Sequence, residues 1–476
     1  MAKVLLVQPN KNLQLNTTFY KTEMPISLVY MGTAIEEKHD VKIYDRNLNV
    51  SDSDFLRFLK RYNPDIIGFT LMTSEMIIDF MHLGKIIKKE FPEKIIIVGG
   101  VHTTIEPDSV LNESYVDYII RGEGEETFLE FCNTFDKNPR DLKKIKNINH
   151  NPLRPFVNMD DLELPNYNLV NLKKYGTYFI HLSRGCPGNC TFCYSCGMWG
   201  VNNRPLVRSY GTEKIMNFFK KVVNEYDLKY FTISDDNFIP FKSRAIKVCN
   251  FLKDYNVHFF CYGRADYVSD EILRPLKKAG CHTIQIGVES GSQRILDLLN
   301  KRTTIKQNAD AIACCKRNKI HCDASLMIGM PTETREDLKM TLDFLKKTRP
   351  NTVNLKVYNP LPGPPLFDYC VEKGLLKKPE NLEGWSKWAG GFFRVQHNVS
   401  EIPNQELMAA SREGESIDYY KNKFKKFIYW LKAGNWDYVL RQSRLLVKTP
   451  RGLKIPLIGY LKAPDTYDEN KPERNF

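Results

Sequence analysis

The chain has 476 residues, and 69 Lys plus Arg against 56 Asp plus Glu give a formal net charge of +13 at pH 7. With 42% apolar and 26% charged residues it has the composition of a folded globular protein of two to four domains at roughly 150 residues each, which excludes disordered, collagen-like and disulfide-miniprotein classes. No apolar run reaches the ~18 residues of a membrane helix, and MAKVLLVQPN enters a strand with no signal-peptide pattern, so a cytoplasmic chain is expected. The 12 Cys then read as reduced thiols or metal ligands, while the basic excess leaves nucleic acid, an anionic membrane surface or an acidic substrate open.

Over the first 135 residues, short Ile- and Val-rich runs at 3–10, 41–47, 65–73, 94–100 and 116–124 alternate with helix-length segments. Apolar runs of this kind predict parallel strands buried on both faces, hence a doubly wound, Rossmann-like domain over 1–135. Its ligand crevice is expected at the strand carboxyl ends, where turn residues crowd. A polar stretch over 136–172 reads as an irregular linker.

Over 173–380, strands are expected at 177–183, 230–236, 258–266, 282–290, 322–331 and 352–360, separated by helices such as 211–226 and 334–347 with Ser, Thr or Asp near their starts. Six parallel βα units predict a partial (β/α)6 barrel. From 381 to 476 the pattern turns mainly helical, with Trp and Lys, and ends in a tail read as disordered.

The segment SRGCPGNCTFCYSCG places Cys186, Cys190 and Cys193 in C-x3-C-x2-C spacing directly after the first strand of the second series. Three close thiols on a Gly-rich loop suit an iron–sulfur cube with one iron left open, whereas structural zinc commonly takes four ligands in paired knuckles. Cys196 as a fourth ligand would make a closed structural site. Cys249, Cys261, Cys281, Cys314, Cys315, Cys322 and Cys370 read as small core residues.

This segment resembles the signature of the radical S-adenosylmethionine (SAM) superfamily, C-x3-C-x-Φ-C, with Phe192 as the aromatic position; the resemblance extends over 177–368. It implies a 4Fe-4S cluster on the three thiolates, with SAM chelating the open iron and cleaved to a 5'-deoxyadenosyl radical. It also implies that Asp235 and Asp236 accept from the SAM ammonium group, and that Glu289 and Ser290 contact its ribose and carboxylate. Gly329, Met330 and Pro331 would lie along adenine. Arg264 and Tyr262 are weaker candidates: Arg264 would hold the SAM carboxylate or a substrate anion, or serve as a structural ion-pair partner. The expected sites share the carboxyl ends of successive strands, where barrel enzymes build their active sites.

The first domain resembles the cobalamin-binding domain that precedes the barrel in one radical SAM class, through residues 25–37, 41–47, 99–111 and 122–131. That resemblance places a corrin over Leu71, Thr73 and Ser74, over Gly99, Gly100, Val101 and His102, and over Gly122, Glu123 and Gly124. The D-x-H-x-x-G motif that supplies an axial His in other cobalamin domains is absent, since the chain after the first strand reads PNKNLQLNTT. His102 is the one His in the matching loops, with a loop hydrogen bond as its expected role. No Cys precedes Cys132, which disfavours a methylthiotransferase with extra cluster ligands, and Cys370 is the last Cys, which disfavours auxiliary clusters.

The resemblance implies methyl transfer to an unactivated carbon, with radical cyclisation, rearrangement or oxidation as the alternative and a non-catalytic cluster protein binding nucleic acid as a remote one. It implies a small-molecule or lipid substrate and an external electron donor such as flavodoxin or ferredoxin. Residues 384–395 read as a lid or as simple Trp packing. Residues 421–476 hold 13 Lys plus Arg and 5 Asp plus Glu. Most of the charge excess therefore sits there, and 421–464 offers peripheral contact with the inner face of the membrane or an ordinary docked helix.

Overall fold

A computed structural model describes residues 1–11, 22–199, 205–388, 395 and 397–417. Five strands, β1 (Lys3–Gln8), β2 (Asp40–Asp45), β3 (Ile66–Thr70), β4 (Ile95–Gly99) and β5 (Tyr118–Ile119), form a parallel sheet in the order β2-β1-β3-β4-β5. Val4, Leu5, Ile66, Ile67 and Val98 are fully buried, because helices cover both faces and the inner strands β1, β3 and β4 are apolar at most positions, whereas the edge strand β2 carries charged residues. The order reverses between β1 and β3, which puts the switch-point crevice at their carboxyl ends.

The second sheet runs β6 (Phe179–Ile180), β7 (Tyr230–Ile233), β8 (His258–Arg264), β9 (Cys281–Glu289), β10 (His321–Ile328) and β11 (Thr352–Val357), each paired in parallel with the next. β6 and β11 do not pair, so the barrel is open, as the six-unit pattern implied. Two of its helices, Ile305–Arg317 and Arg335–Thr348, start on capping boxes in which Thr304 and Thr334 bond the backbone N–H three residues on. The expected first strand at 177–183 is the shortest, because the chain leaves the sheet early to build the cysteine loop.

Two expectations on organisation change. The stretch 136–172 is irregular, with short 3-10 turns, yet it is packed: Ile145 and Ile148 join the core of the first sheet, and Met159, Leu162 and Tyr167 join that of the barrel. The region beginning at 381 is not a separate body there, since Met1–Ile417 forms one compact unit. Trp385 and Trp388, on helix Leu382–Trp388, are buried with Leu5, Phe80 and Leu83 of the first domain, while Leu407 and Ala410, on helix Asn404–Ser416, pack into the barrel core. Trp packing thus outweighs the lid reading for 384–388. The remainder of that stretch from 389 to 394, the basic segment 421–464 and the tail lie outside the described residues. No helix among the described residues is long and apolar enough to cross a membrane.

A buried ion cluster joins the two sheets. Glu123, in the Gly-rich loop after β5, takes Arg184 Nη1 at 2.6 Å, Arg208 at 2.8 and 3.0 Å and the Val157 N–H at 3.1 Å. Arg184 also pairs with Glu125, and the Arg208 guanidinium lies 4.5 Å from the Phe156 ring centroid. Burial would push the Glu125 carboxyl up, but Arg184 outweighs it and the group sits below its ordinary value. Side-chain exposure is 5% for Glu123, 11% for Arg184 and 13% for Arg208. Removing the anion would leave the largely buried Arg208 without its carboxylate partner and Arg184 with Glu125 alone. Glu123→Ala is therefore expected to lower unfolding free energy by about 3 kcal/mol or more, with non-additive coupling to Arg208→Ala in a double-mutant cycle by denaturant titration. Additive losses would show that the cluster does not act as a unit.

Candidate functional site

Past β6 the chain forms a two-residue strand, Ser183–Arg184, paired antiparallel with Arg208–Ser209, and then turns sharply at Gly185. Gly185 has φ +92°, and a Cβ there would lie 2.0 Å from the Leu206 carbonyl oxygen, so only glycine fits. The turn starts the loop of Cys186, Cys190 and Cys193. One carboxylate oxygen of Asp236, at the end of β7, accepts from Gly185 N–H at 3.1 Å and Ser195 O–H at 3.0 Å, clasping the loop at both ends. Thr191 N–H donates to the Leu299 carbonyl at 3.0 Å, Asn300 Nδ2 to the Asn189 carbonyl at 2.7 Å, and Leu366 N–H to the Thr191 carbonyl at 2.8 Å. Chain following β9 and β11 thus fixes the loop's middle.

The three thiols lie near enough to influence one another electrostatically. Burial, followed by the neighbouring thiols and Asp236, pushes Cys193 up to about 12; burial also raises Cys186, opposed by the Gly188 N–H and Arg264. Such thiols give up their protons only to a cation that replaces them. Among the described residues no three His, Cys, Asp or Glu side chains converge to hold one metal ion. A 4Fe-4S cube does not require that, because each thiolate takes its own iron. The donor set therefore fits a cluster on Cys186, Cys190 and Cys193. The Cys196 side chain lies outside the described residues, while Cys249, Cys261, Cys281, Cys314, Cys315, Cys322 and Cys370 are buried in the fold.

The two acidic residues after β7 divide their work. Asp235 is buried and accepts from the Leu182 N–H at 2.6 Å, the Ser183 N–H at 3.1 Å, the Ser183 hydroxyl and Arg244 Nη2 at 3.0 Å. Its expected role as an acceptor for an ammonium ligand is corrected: both oxygens are engaged inside the protein. Asp236, exposed, has no hydrogen bond to its second oxygen among the described residues and remains the candidate acceptor.

Glu289 sits at φ +63° with its carboxylate 2.6 Å from Lys301 Nζ, in a buried pair. The Ser290 hydroxyl is buried against Thr341 Oγ1 at 3.2 Å and receives the Ser292 N–H at 3.1 Å. Both are engaged within the fold, so the ligand contacts expected of them require the Glu289–Lys301 pair to be shared. At the end of β10, Gly329 adopts φ +79° and Met330 is buried with Ile295, Leu299, Tyr358 and Leu366, with Phe192 of the cysteine loop packed against that cluster. Phe192 and Met330 thereby belong to one apolar cluster, with Pro331 next to Met330 in the chain. Tyr262 is half-buried, its ring 5.0 Å from that of Phe260.

Two residues escaped sequence reasoning. Glu333 accepts from the backbone N–H of Gly329 and of Met330, the latter at 2.9 Å, while its Oε1 is buried with no partner among the described residues. Asn237, 1% exposed, has neither amide atom paired. Unpaired buried groups are rare in folded proteins, and these two flank strand ends where a polar ligand is expected. They fit a polar cofactor such as SAM. Only the spacing of Glu333, four residues after Gly329, was readable beforehand.

In the first domain His102 is wholly buried, with Nδ1 2.9 Å from Thr73 Oγ1, Nε2 3.1 Å from Ser109 Oγ, and Trp385 edge-on at 5.6 Å. Burial lowers its pKa to about 4, so it is a neutral, fully bonded ring with no nitrogen for a metal. Leu71 is buried too, its carbonyl accepting from the His102 N–H at 3.1 Å. Glu123 belongs to the ion cluster, which corrects its expected place against a corrin. Thr73, Ser74, Gly99, Gly100, Val101, Gly122 and Gly124 line the carboxyl edge of the sheet, beside Met72 at 53% exposure. An exposed apolar side chain with no free His fits a corrin held by packing alone. The loop segment 12–21 lies outside the described residues.

Two family models match: the radical SAM superfamily over 180–345 and the B12 binding domain over 14–131. An uncharacterized methyltransferase of Pyrococcus horikoshii is 32% identical over 428 residues, 86% of this chain and 91% of that one. An anaerobic magnesium-protoporphyrin IX monomethyl ester cyclase of Rubrivivax gelatinosus is 28% identical over 358 residues, 70% of this chain and 63% of the cyclase. Among solved structures, the radical SAM methyltransferase TsrM from Kitasatospora setae, with cobalamin and a [4Fe-4S] cluster bound, matches with TM-score 0.66 at 16% identity over 84% of this chain and 83% of that one.

Burial raises the Glu333 carboxyl from its ordinary 4.5 to about 7, outweighing the two N–H donors. A raised carboxyl costs stability as pH climbs: between those values the unfolded chain ionises and the folded one does not, and above about 7 the loss is complete at ~3 kcal/mol. Glu333→Gln keeps an acceptor for both N–H groups. Its unfolding free energy is expected to gain on wild type from about pH 4.5 to 7; parallel curves in denaturant titrations would mean that Glu333 ionises normally.

Proposed function

Because the chain belongs to the radical SAM superfamily, in the class with a B12 binding domain ahead of the barrel, we propose that it is a methyltransferase acting on an unactivated carbon of a small molecule. The observation that carries this is the clasped three-thiol loop at the barrel's carboxyl end, tied by the ion cluster to the cobalamin-type sheet. When bound, the 4Fe-4S cluster and SAM supply a carbon-centred radical by one-electron cleavage, and cobalamin supplies the methyl group.

The chain's own residues place and shield those groups. Cys186, Cys190 and Cys193 hold the cluster, and Asp236 fixes the loop and offers its second oxygen to the ammonium group of SAM. Gly329, Met330 and Pro331 present backbone to the adenine, with Glu333 holding the Gly329 and Met330 N–H groups in place. Glu289, Lys301 and Ser290 border the ribose and carboxylate, while the apolar cluster that Phe192 and Met330 share excludes water between loop and adenine. The carboxyl edge from Thr73 to Gly124 carries the corrin. Hydrogen abstraction by a radical needs no general base, so a titrating catalytic side chain is not part of the scheme. Positioning is the protein's contribution.

An external low-potential donor of the flavodoxin or ferredoxin kind supplies electrons. A lipid is the narrower substrate reading, supported by the charge and aromatics of 421–464 alone, and it carries peripheral contact of a cytoplasmic enzyme with the inner membrane face. Protein pelleting with anionic but not neutral vesicles supports that contact; none with either removes it.

The enzyme purified without oxygen is expected to contain about four irons and a corrinoid absorbance spectrum. With SAM and a reductant it should yield 5'-deoxyadenosine, and with a substrate also S-adenosylhomocysteine. Each of Cys186→Ser, Cys190→Ser and Cys193→Ser should abolish 5'-deoxyadenosine, while Cys249→Ser retains it. A substrate turned over with no S-adenosylhomocysteine would replace methyl transfer with cyclisation or oxidation, the reading that the cyclase relative favours.

A further inference from the structure

Arg264 ends β8, and its guanidinium is inserted into the cysteine loop. Nε donates to Asp266 Oδ1 at 3.1 Å, Nη2 to Asp266 Oδ2 at 3.2 Å and to the Lys301 carbonyl at 2.6 Å, and Nη1 to Cys190 Sγ at 3.4 Å. Arginine has five N–H donors, so a single N–H, on Nη1, is left uncommitted. The residue is 7% exposed. Room for it depends on Gly188, where a Cβ would stand 2.6 Å from Nη1 and 3.5 Å from Cys186 Sγ. The cation thus lies among the thiols, aimed at Cys190, with its fork anchored on Asp266 and Lys301. An arginine meant to seize a ligand carboxylate would keep its two-pronged edge open, and this one has spent it.

We propose that Arg264 sets the reduction potential of the cluster by donating a hydrogen bond to the Cys190 thiolate. The inference rests on the cluster assignment above. A cluster that takes one electron from the external donor gains one negative charge, and a buried cation bonded to its ligand stabilises that charge. Arg264 gains and loses no proton in doing so. Asp266, by partly neutralising the guanidinium, limits the effect, and Lys301 couples it to the Glu289 pair on the neighbouring strand.

The test is a potentiometric titration of the full-length, anaerobically reconstituted protein without SAM, followed by electron paramagnetic resonance. Arg264→Gln and Arg264→Met are expected to shift the midpoint to more negative values and change the spectrum of the reduced cluster. Arg264→Lys should recover part of the shift, because it keeps charge but loses the fork. Asp266→Asn should move the midpoint the opposite way. If the glutamine and methionine variants fail to retain iron, the lysine and Asp266 variants carry the same comparison. An unchanged midpoint and spectrum at full iron content would overturn the proposal. So would an unchanged SAM-free midpoint with weakened SAM binding, which would make Arg264 a ligand for the SAM carboxylate. A wild-type protein that retains no iron after reconstitution would overturn the cluster assignment itself, and this inference with it.

Discussion

The geometry of the whole site depends on a few charges buried between two sheets. Taking Glu123, Glu125, Arg184 and Arg208 out of water costs free energy that their attraction barely repays, and an apolar patch of the same volume would hold two domains together at least as well. What an apolar patch lacks is direction. Glu123 accepts four hydrogen bonds from three elements, so the loop after β5 has one seating against the strand that leads into the cysteines. Arg184 stands two residues before Cys186. The cobalamin-type edge and the thiol loop are therefore registered through a short run of backbone, and one-carbon transfer between two large cofactors needs that kind of fixed separation.

The adjacent Asp235 and Asp236 extend the same logic to the barrel. The inner carboxylate is committed to Arg244 and to the backbone leaving β6, which stiffens the strand end. The outer one closes the cysteine loop as a ring between Gly185 and Ser195. Asp235 is buried and Asp236 exposed, so one sequence motif just past the strand serves both packing and the site. Glu333 repeats the pattern after β10, holding two backbone N–H groups with one oxygen while the other has no partner among the described residues.

Legibility in the sequence followed the range of the interaction. The inner parallel strands were readable because they are apolar at nearly every position, and the thiol loop because its ligands lie within eight residues of one another. The ion cluster was not readable, since Glu123 and Arg184 are 61 residues apart and an acidic residue in a Gly-rich loop looks equally like a ligand contact. His102 misled less, because a ring inside a strand-end loop is readily satisfied by neighbouring hydroxyls such as Thr73 and Ser109. Trp385 could be read as packing but not as packing on the first domain, because nothing in a seven-residue helix encodes which distant surface it covers. The polar stretch 136–172 looked like a linker for the same reason: its buried residues are too sparse to show a period.

These long-range contacts also explain how one scaffold separates stability from reactivity. The charges that lock the domains are paired with each other, and Arg184 alone among them adjoins the cysteines in the chain. The groups at the strand ends of the barrel are arranged differently: among the described residues Asp236 has one oxygen without a hydrogen bond, Asn237 and Glu333 have unpaired buried atoms, and burial keeps the Cys193 thiol protonated. Completed by a cluster and SAM, such groups gain partners, so binding adds to the stability of the loop. The loop is thus best ordered when it is loaded, while the register between the two sheets is set beforehand by bonds that loading does not touch.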